Sequence, residues 1–375
     1  MLVVCLRYST VRGDVVIIRP TTDTTIPWVD YSTLTAVNTC PRWGIINSWH
    51  GKRLSAGVER VLALEAGRAM HDVFAACRFF DLIHSIMNDK NDDGGRLDAI
   101  YKYADRVFAN ALHPDRWSQA LAYYRSNEDA ETRCMQMALN LLETSGYHDD
   151  PRDARRTQAN LESAAINYVQ RYPLGRFIPI CNSDASRIGI EMPFDITLHN
   201  NNHAPLIRFI GRVDAVCVDT LRPSDKTPEV HENKTGSRID TVWSNSFDTS
   251  NQVTGYCVAM SCLLDMPIRN VVMWGLQLPV PKSSTYSDGM MRYPTSRNEE
   301  SFHEWQSWVR HSLDVIHAYE DAPTDAPMYT HSCNRYFRSC SFIPLCSETS
   351  EQRRHIYDNE MTTERWSPLM ETLDP

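Results

Sequence analysis

The chain has 375 residues, 42% of them hydrophobic and 23% charged, with a formal net charge of −9. Those proportions are ordinary for a globular protein and exclude a low-complexity or disordered chain. No stretch approaches the ~18 uninterrupted apolar residues needed to cross a bilayer, and the net acidity argues against a protein that coats nucleic acid non-specifically.

Met1-Leu2-Val3-Val4-Cys5-Leu6 is apolar but too short for a signal-peptide core, and no basic segment precedes it. The expected location is therefore the cytoplasm, a host's cytoplasm if the protein is viral. Residues 1–30 read as a β extension, with Val15-Val16-Ile17-Ile18 as its clearest strand. Residues 31–96 hold Thr39-Cys40-Pro41-Arg42-Trp43 and then a helical pattern from Glu59 to about Met87, striped by Val61, Leu62, Leu64, Ala69, Val73 and Phe74. Asp89-x-Asn91-x-Asp93-Gly94 begins like a calcium loop. Its twelfth position is Ile100 where a bidentate Glu is required, so it reads as a plain polar loop.

Residues 97–185 read as a helical insertion, broken near His113-Pro114 and Asp149-Asp150-Pro151, and show no chemistry of their own. The stretch 186–330 is strand-rich. Ile188, Ile190, Met192, Phe194, Ile196 and Leu198 alternate with polar or small residues, as a half-buried strand requires. A second strand follows from Ile207 to Val218, a third from Glu229 to Thr235, a helix from Asn251 to Leu264 and a fourth strand from Arg269 to Leu278. This order predicts an α/β fold with a mixed central β-sheet flanked by helices. Three cysteines cluster in 331–346, and 347–375 reads as a polar, partly loose tail.

The chemistry concentrates around Glu232-Asn233-Lys234. Glu232 and Lys234 are two apart on a predicted strand and share a face. Asp214 lies inside the apolar run Val213-Asp214-Ala215-Val216, where an uncompensated carboxylate is expensive, so a cation beside it is the natural explanation. One hairpin separates Asp214 from Glu232. Gly67 and His71 are one helical turn apart, so the histidine is expected to project where the glycine leaves room, and Gln252 and Tyr256 are one turn apart on the following helix. Each residue alone has an ordinary explanation: a solvated strand pair, a satisfied structural aspartate, a packing histidine. Order and spacing together point to a divalent-metal site with an adjacent lysine, the equipment for hydrolysing a phosphodiester bond. Asn233-Lys234-Thr235 also has the form of a glycosylation acceptor, a reading discarded inside a predicted core strand.

Gly67-x-x-x-His71, Glu191, Gly211-Arg212-Val213-Asp214, Glu232-x-Lys234 and Gln252-x-x-x-Tyr256, in that order, resemble the PD-(D/E)xK nuclease superfamily. The branch is the one of RecB-type and CRISPR-adaptation exonucleases, with phage-type members. The resemblance implies a restriction-endonuclease-like core and a DNA exonuclease acting in recombination, repair or end-processing. It assigns His71, Asp214 and Glu232, with the carbonyl of Asn233, as ligands of Mg²⁺ or Mn²⁺, and Glu191 as a ligand of a second metal. Lys234 would activate or orient the water, while Gln252 and Tyr256 would position the DNA backbone and support the lysine. It further implies that Cys40, Cys333, Cys340 and Cys346 hold a [4Fe–4S] cluster stapling the chain ends together. The six-residue gap between Cys333 and Cys340 departs from the Cys-x2-Cys of many relatives, and Tyr336 and Phe337 fill it. Four thiolates also suit zinc. Implied partners are DNA and, beyond it, a helicase or recombination and CRISPR-adaptation proteins. No Gly-x-x-x-x-Gly-Lys-[Ser/Thr] loop supplies a helicase motor within the chain. The alternatives are a non-catalytic DNA-binding or assembly module on the same fold, and a zinc-stabilised interaction protein.

Overall fold

The alternation read between residues 188 and 198 is a real strand. Ile190, Met192, Phe194, Ile196 and Leu198 are buried, while Glu191, Pro193 and Asp195 are partly exposed. A computed structural model describes residues 6–8, 16–54, 62–89, 95–151, 153–200, 202, 204–222, 224, 226–278, 289–335 and 338–369. Val15, most of the polar loop at 90–94, and Tyr336 and Phe337 lie outside the described residues.

The N-terminal part contains β1 (Leu6–Tyr8), β2 (Val16–Pro20), β3 (Trp28–Val29), α1 (Tyr31–Thr39), α2 (Pro41–Trp43), a π-helical turn at Gly44–Trp49, β4 (Lys52–Leu54) and α3 (Leu62–Met87). The helical insertion is α4 (Gly95–Val107), α5 (Arg116–Tyr124), α6 (Ala130–Glu143) and α7 (Gln158–Arg171). Both expected breaks separate helices, and a third falls between α5 and α6. The core continues with β5 (Phe177–Pro179), β6 (Ile190–His199), β7 (Pro205–Asp219), β8 (Glu229–Gly236), α8 (Thr241–Asn245), α9 (Asn251–Leu264), β9 (Asn270–Gln277), β10 (Met290–Ser296) and α10 (Glu299–Tyr319). The C-terminal part holds β11 (Asn334–Arg335), β12 (Arg338–Ser339), α11 (Ile343–Cys346), α12 (Ser350–Asn359) and β13 (Met361–Thr363). The tail is thus more ordered than its polar composition predicts. A capping box of Thr349 and Gln352 starts α12, and β13 pairs with β4.

Among the described residues the main sheet has nine strands in the order β1-β2-β6-β7-β8-β9-β10, with β3 and β5 also on β7. The β6–β7 and β7–β8 pairs are antiparallel. The β8–β9 pair is parallel, joined through the helix α9 as such a crossover requires. The sheet is therefore mixed, α/β and flanked by helices, as the sequence predicts. On one side, α9 and α10 cover Phe194, Phe209, Val213 and Met273; on the other, α3 leads a helical layer formed with α4–α7. Gly211 is required by packing, because a Cβ there would sit 2.3 Å from the Phe194 ring. Cys217 and Cys262 are buried among apolar neighbours, as expected of small hydrophobes. No described helix is long and apolar enough to cross a membrane.

Beneath the helical layer runs a buried polar chain. Arg78 of α3 donates to Tyr172 Oη at 2.7 Å and lies 3.0 Å from His231 Nδ1. Tyr172 donates to Asp81, and Glu229 lies 3.2 Å from His231 Nε2. Phe177 and Trp274 enclose the His231 ring. Burial first, then the Arg78 guanidinium, hold this imidazole down at about 3.

An unfolded histidine titrates near ~6.5, so between these values the unfolded chain binds a proton that the folded chain refuses. Stability is therefore expected to fall as pH drops from about 6.5 toward 3. Urea unfolding at about pH 7 and about pH 5 checks this: the midpoint loss should be smaller in His231→Gln than in the wild type.

Candidate metal centre

Three elements converge on one point. His71 projects from the third turn of α3, Asp214 from the middle of β7, and Glu191 from the start of β6. One ligand atom from each lies within 4.8 Å of the others. His71 Nδ1 is 3.7 Å from Glu191 Oε1 and 3.5 Å from Asp214 Oδ1. A Cβ at Gly67 would meet only Thr235 Oγ1, at 3.8 Å, so the glycine is not what makes room for His71.

The Asp214–Glu232 hairpin behaves as its spacing predicts: β7 and β8 are neighbours, and Ala215 pairs with His231. Asp214 Oδ2 accepts hydrogen bonds from the Asn233 backbone N–H at 2.6 Å and side chain at 3.2 Å. Lys234 Nζ donates to Glu232 Oε1 at 2.5 Å. Glu232 stands beside the His71–Glu191–Asp214 group rather than within its 4.8 Å circle. At 2% exposure its Oε2 has no hydrogen-bond partner among the described residues. A buried, unpartnered carboxylate oxygen is costly, and a divalent cation would satisfy it together with the two neighbouring carboxylates and the imidazole. The donor set of one imidazole and three carboxylates fits Mg²⁺ or Mn²⁺.

The electrostatics agree. Burial would push the His71 imidazole down, but Asp214, then Glu191 and Glu232, outweigh it and raise it to about 9. Burial, and Asp214 behind it, push the Glu232 carboxyl up, with Lys234 pulling it back. Burial also opposes the charge on Lys234, yet Glu232 and Asp214 more than offset it and keep the ammonium protonated. A cluster of anions that raises every basic group beside it is a cation-binding environment.

Gln252 and Tyr256 face each other on α9, with Gln252 Nε2 donating to Tyr256 Oη at 2.9 Å. Among the described residues, no hydrogen bond ties either to Lys234. Tyr256 is nonetheless close enough that Glu232 and Asp214 add to burial in pushing its phenol up.

The insertion, expected to carry no chemistry, reaches the centre at two places. Tyr103 of α4 donates to the carbonyls of Ile190, at 2.7 Å, and Glu191, at 3.0 Å. Glu191 has φ of +45°, a left-handed conformation rare for a side-chain-bearing residue, and this double contact pins it. Arg116 of α5 is buried and holds Asp72, the neighbour of His71, at 2.6 Å. Sequence reasoning missed Tyr103 and Arg116 because both sit on amphipathic helices far along the chain. Arg212, 3.4 Å from Glu191, lay inside the quoted motif and had a signal in its position beside Asp214.

The centre opens into a cleft of about 880 Å³. Its walls include Arg68, Arg106, Arg116, Arg212 and Lys234, with Leu64 and Trp366 at the rim. Arg68 and Arg106 are exposed and have no carboxylate partner among the described residues. The cleft wall thus carries arginines from several elements, two of them, Arg116 and Arg212, tied to Asp72 and Glu191.

Elsewhere, Cys40 ends α1, Cys333 follows a 3-10 turn at Thr330–Ser332, and Cys346 ends α11. Burial raises the Cys340 thiol, and Cys333, Cys346 and Cys40 raise it further, so the four sulfurs share one neighbourhood. The Phe342 N–H points at Cys340 Sγ from 3.4 Å. Ile46, Phe342, Leu345 and Met361 wall the site with apolar surface.

No protein-family model matches the chain, and no curated protein matches it.

Asp214→Asn and Glu191→Gln are each expected to weaken Mn²⁺ binding by ~10-fold or more, the loss that follows even from removing a supporting group at a metal site. Electron paramagnetic resonance of free Mn²⁺ reads this directly, and unchanged affinity in either variant removes that residue from the ligand set.

Proposed function

We propose that the chain is a divalent-metal-dependent deoxyribonuclease of the PD-(D/E)xK type, acting as an exonuclease in recombination, repair or DNA end-processing. The observation that carries this reading is the buried convergence of His71, Glu191, Asp214 and Glu232, with Lys234 on Glu232 and one carboxylate oxygen left without a partner. His71, Asp214, Glu232 and Glu191 would hold Mg²⁺ or Mn²⁺, with the Asn233 carbonyl available beside them. The ion would acidify a water and offset charge on the scissile phosphate.

The protein's own groups supply the rest. Lys234, kept as an ammonium by Glu232 and Asp214, donates to a phosphate oxygen and orients the attacking water. Asn233 fixes the Asp214 carboxylate through two hydrogen bonds, so its second oxygen stays turned toward His71. Arg68 and Arg106, which have no carboxylate partner among the described residues, offer guanidiniums to flanking phosphates. Gln252 and Tyr256 brace the α9 side of the site. A [4Fe–4S] cluster on Cys40, Cys333, Cys340 and Cys346 would be structural. The shared neighbourhood of the sulfurs and the N–H directed at Cys340 support it.

The test is cleavage of end-labelled single- and double-stranded DNA with Mn²⁺ or Mg²⁺, wild type beside Lys234→Ala. Metal-dependent cutting that falls by ~100-fold or more in the variant is expected. Binding without cutting by the folded wild type would move the reading to a non-catalytic DNA-binding module. For the cysteines, anaerobically purified wild type should carry iron, sulfide and the visible absorbance of a cluster, and Cys340→Ser should lose all three along with thermal stability. Zinc in place of iron would overturn the cluster.

A further inference from the structure

The C-terminal segment brings one residue to the cleft that the metal centre does not use. Trp366 is 50% exposed and lines the rim with Leu64, itself 64% exposed, in the same cavity as His71, Glu191 and Lys234. An exposed indole at a chain terminus would mean little if the segment were loose. Here both flanks are fixed. The Glu364 N–H donates to the Gly51 carbonyl at 2.7 Å. The Arg365 guanidinium lies between Trp28, at 3.7 Å from the ring centroid, and Trp49, at 4.8 Å, and also donates to the Trp28 carbonyl at 2.6 Å. Ser367 and Leu369 are buried on the other side. The backbone is thus clamped before and after Trp366 while its ring is left in water. Two other residues of the cleft wall, Arg68 and Arg106, are exposed cations with no carboxylate partner among the described residues.

We propose that Trp366 is a stacking platform for an unpaired nucleobase, and that the strand presented to the metal centre is single-stranded DNA. This rests on the nuclease reading given above. Cations that contact phosphates and an aromatic face that contacts bases, arranged along one groove, form the combination that grips single strands without reading sequence. The strand class follows from geometry. Inside a duplex both faces of a base are covered by its stacked neighbours and only the terminal pair leaves one face open, so along the strand a fixed indole meets a base face where the base is unpaired. Leu64 widens the apolar contact beside the ring.

The experiment is equilibrium binding of a fluorescent single-stranded oligonucleotide, and of the matching blunt duplex, in the Lys234→Ala background with Mn²⁺. Trp366→Ala should weaken single-strand binding by ~10-fold or more and Trp366→Phe by much less, with duplex binding little changed. Because loss of affinity alone could reflect a disturbed rim, a single abasic site is also walked along the oligonucleotide. One position should weaken binding when Trp366 is present, and that position should have no effect in Trp366→Ala. Equal binding by Trp366→Ala, or an abasic scan without a Trp366-dependent position, overturns the platform while metal-dependent cutting by the wild type leaves the nuclease reading standing. A wild type that neither binds nor cuts DNA overturns both.

Discussion

The structure turns on one constraint: a carboxylate placed in the interior of a sheet. Asp214 is 8% exposed, with apolar Val213, Ala215 and Val216 around it on the same strand. Desolvation of such a charge costs far more than any one packing contact supplies. The fold compensates it from three directions, with the Asn233 hydrogen bonds from β8, His71 from α3 and the local field of Lys234. Each partner belongs to a different element, so the sheet register, the α3 packing and the β7–β8 hairpin must all be in place before the carboxylate is tolerable. Assembly of the site and assembly of the core are the same event.

The helical insertion has a physical role in that assembly. A left-handed backbone at a residue with a Cβ costs about 1–3 kcal/mol and persists only where the surroundings over-determine it. At Glu191 the over-determination comes from Tyr103, whose single hydroxyl spans two successive carbonyls. Arg116 acts on the opposite side through Asp72. The layer of α4–α7 is thus a brace that sets the direction of two ligands, and its distance from the motif in sequence is no guide to its distance in space.

Legibility followed the range of the interactions. The β6 alternation, the buried Asp214 and the hairpin to Glu232 could be read because period-two patterning and a short turn are local. The α9 crossover could be read because a strand–helix–strand order leaves little choice. Tyr103 and Arg116 could not, since nothing in an amphipathic helix marks which polar residue will cross to another layer. The conformation of Glu191 carries no sequence signal because the residue type disfavours it. Gly67 was legible as a glycine but misread, since the space beside it is open whatever residue stands there. The described part of the tail is more ordered than composition suggested: α12 is polar but for Ile356 and Tyr357, which pack on an apolar cluster, and its capping box, β13 on β4 and Arg365 on two tryptophans add to that.

That last docking differs in range from the rest of the site. The pairing of β13 with β4 joins a C-terminal strand to one that precedes α3. Contacts between segments so far apart are entropically slow to close, because the whole intervening loop must first be confined. The hairpin that carries Asp214 and Glu232 closes over a short span. The two carboxylates are thus joined by a local pairing, while the cleft wall that carries Trp366 is held by one of long range.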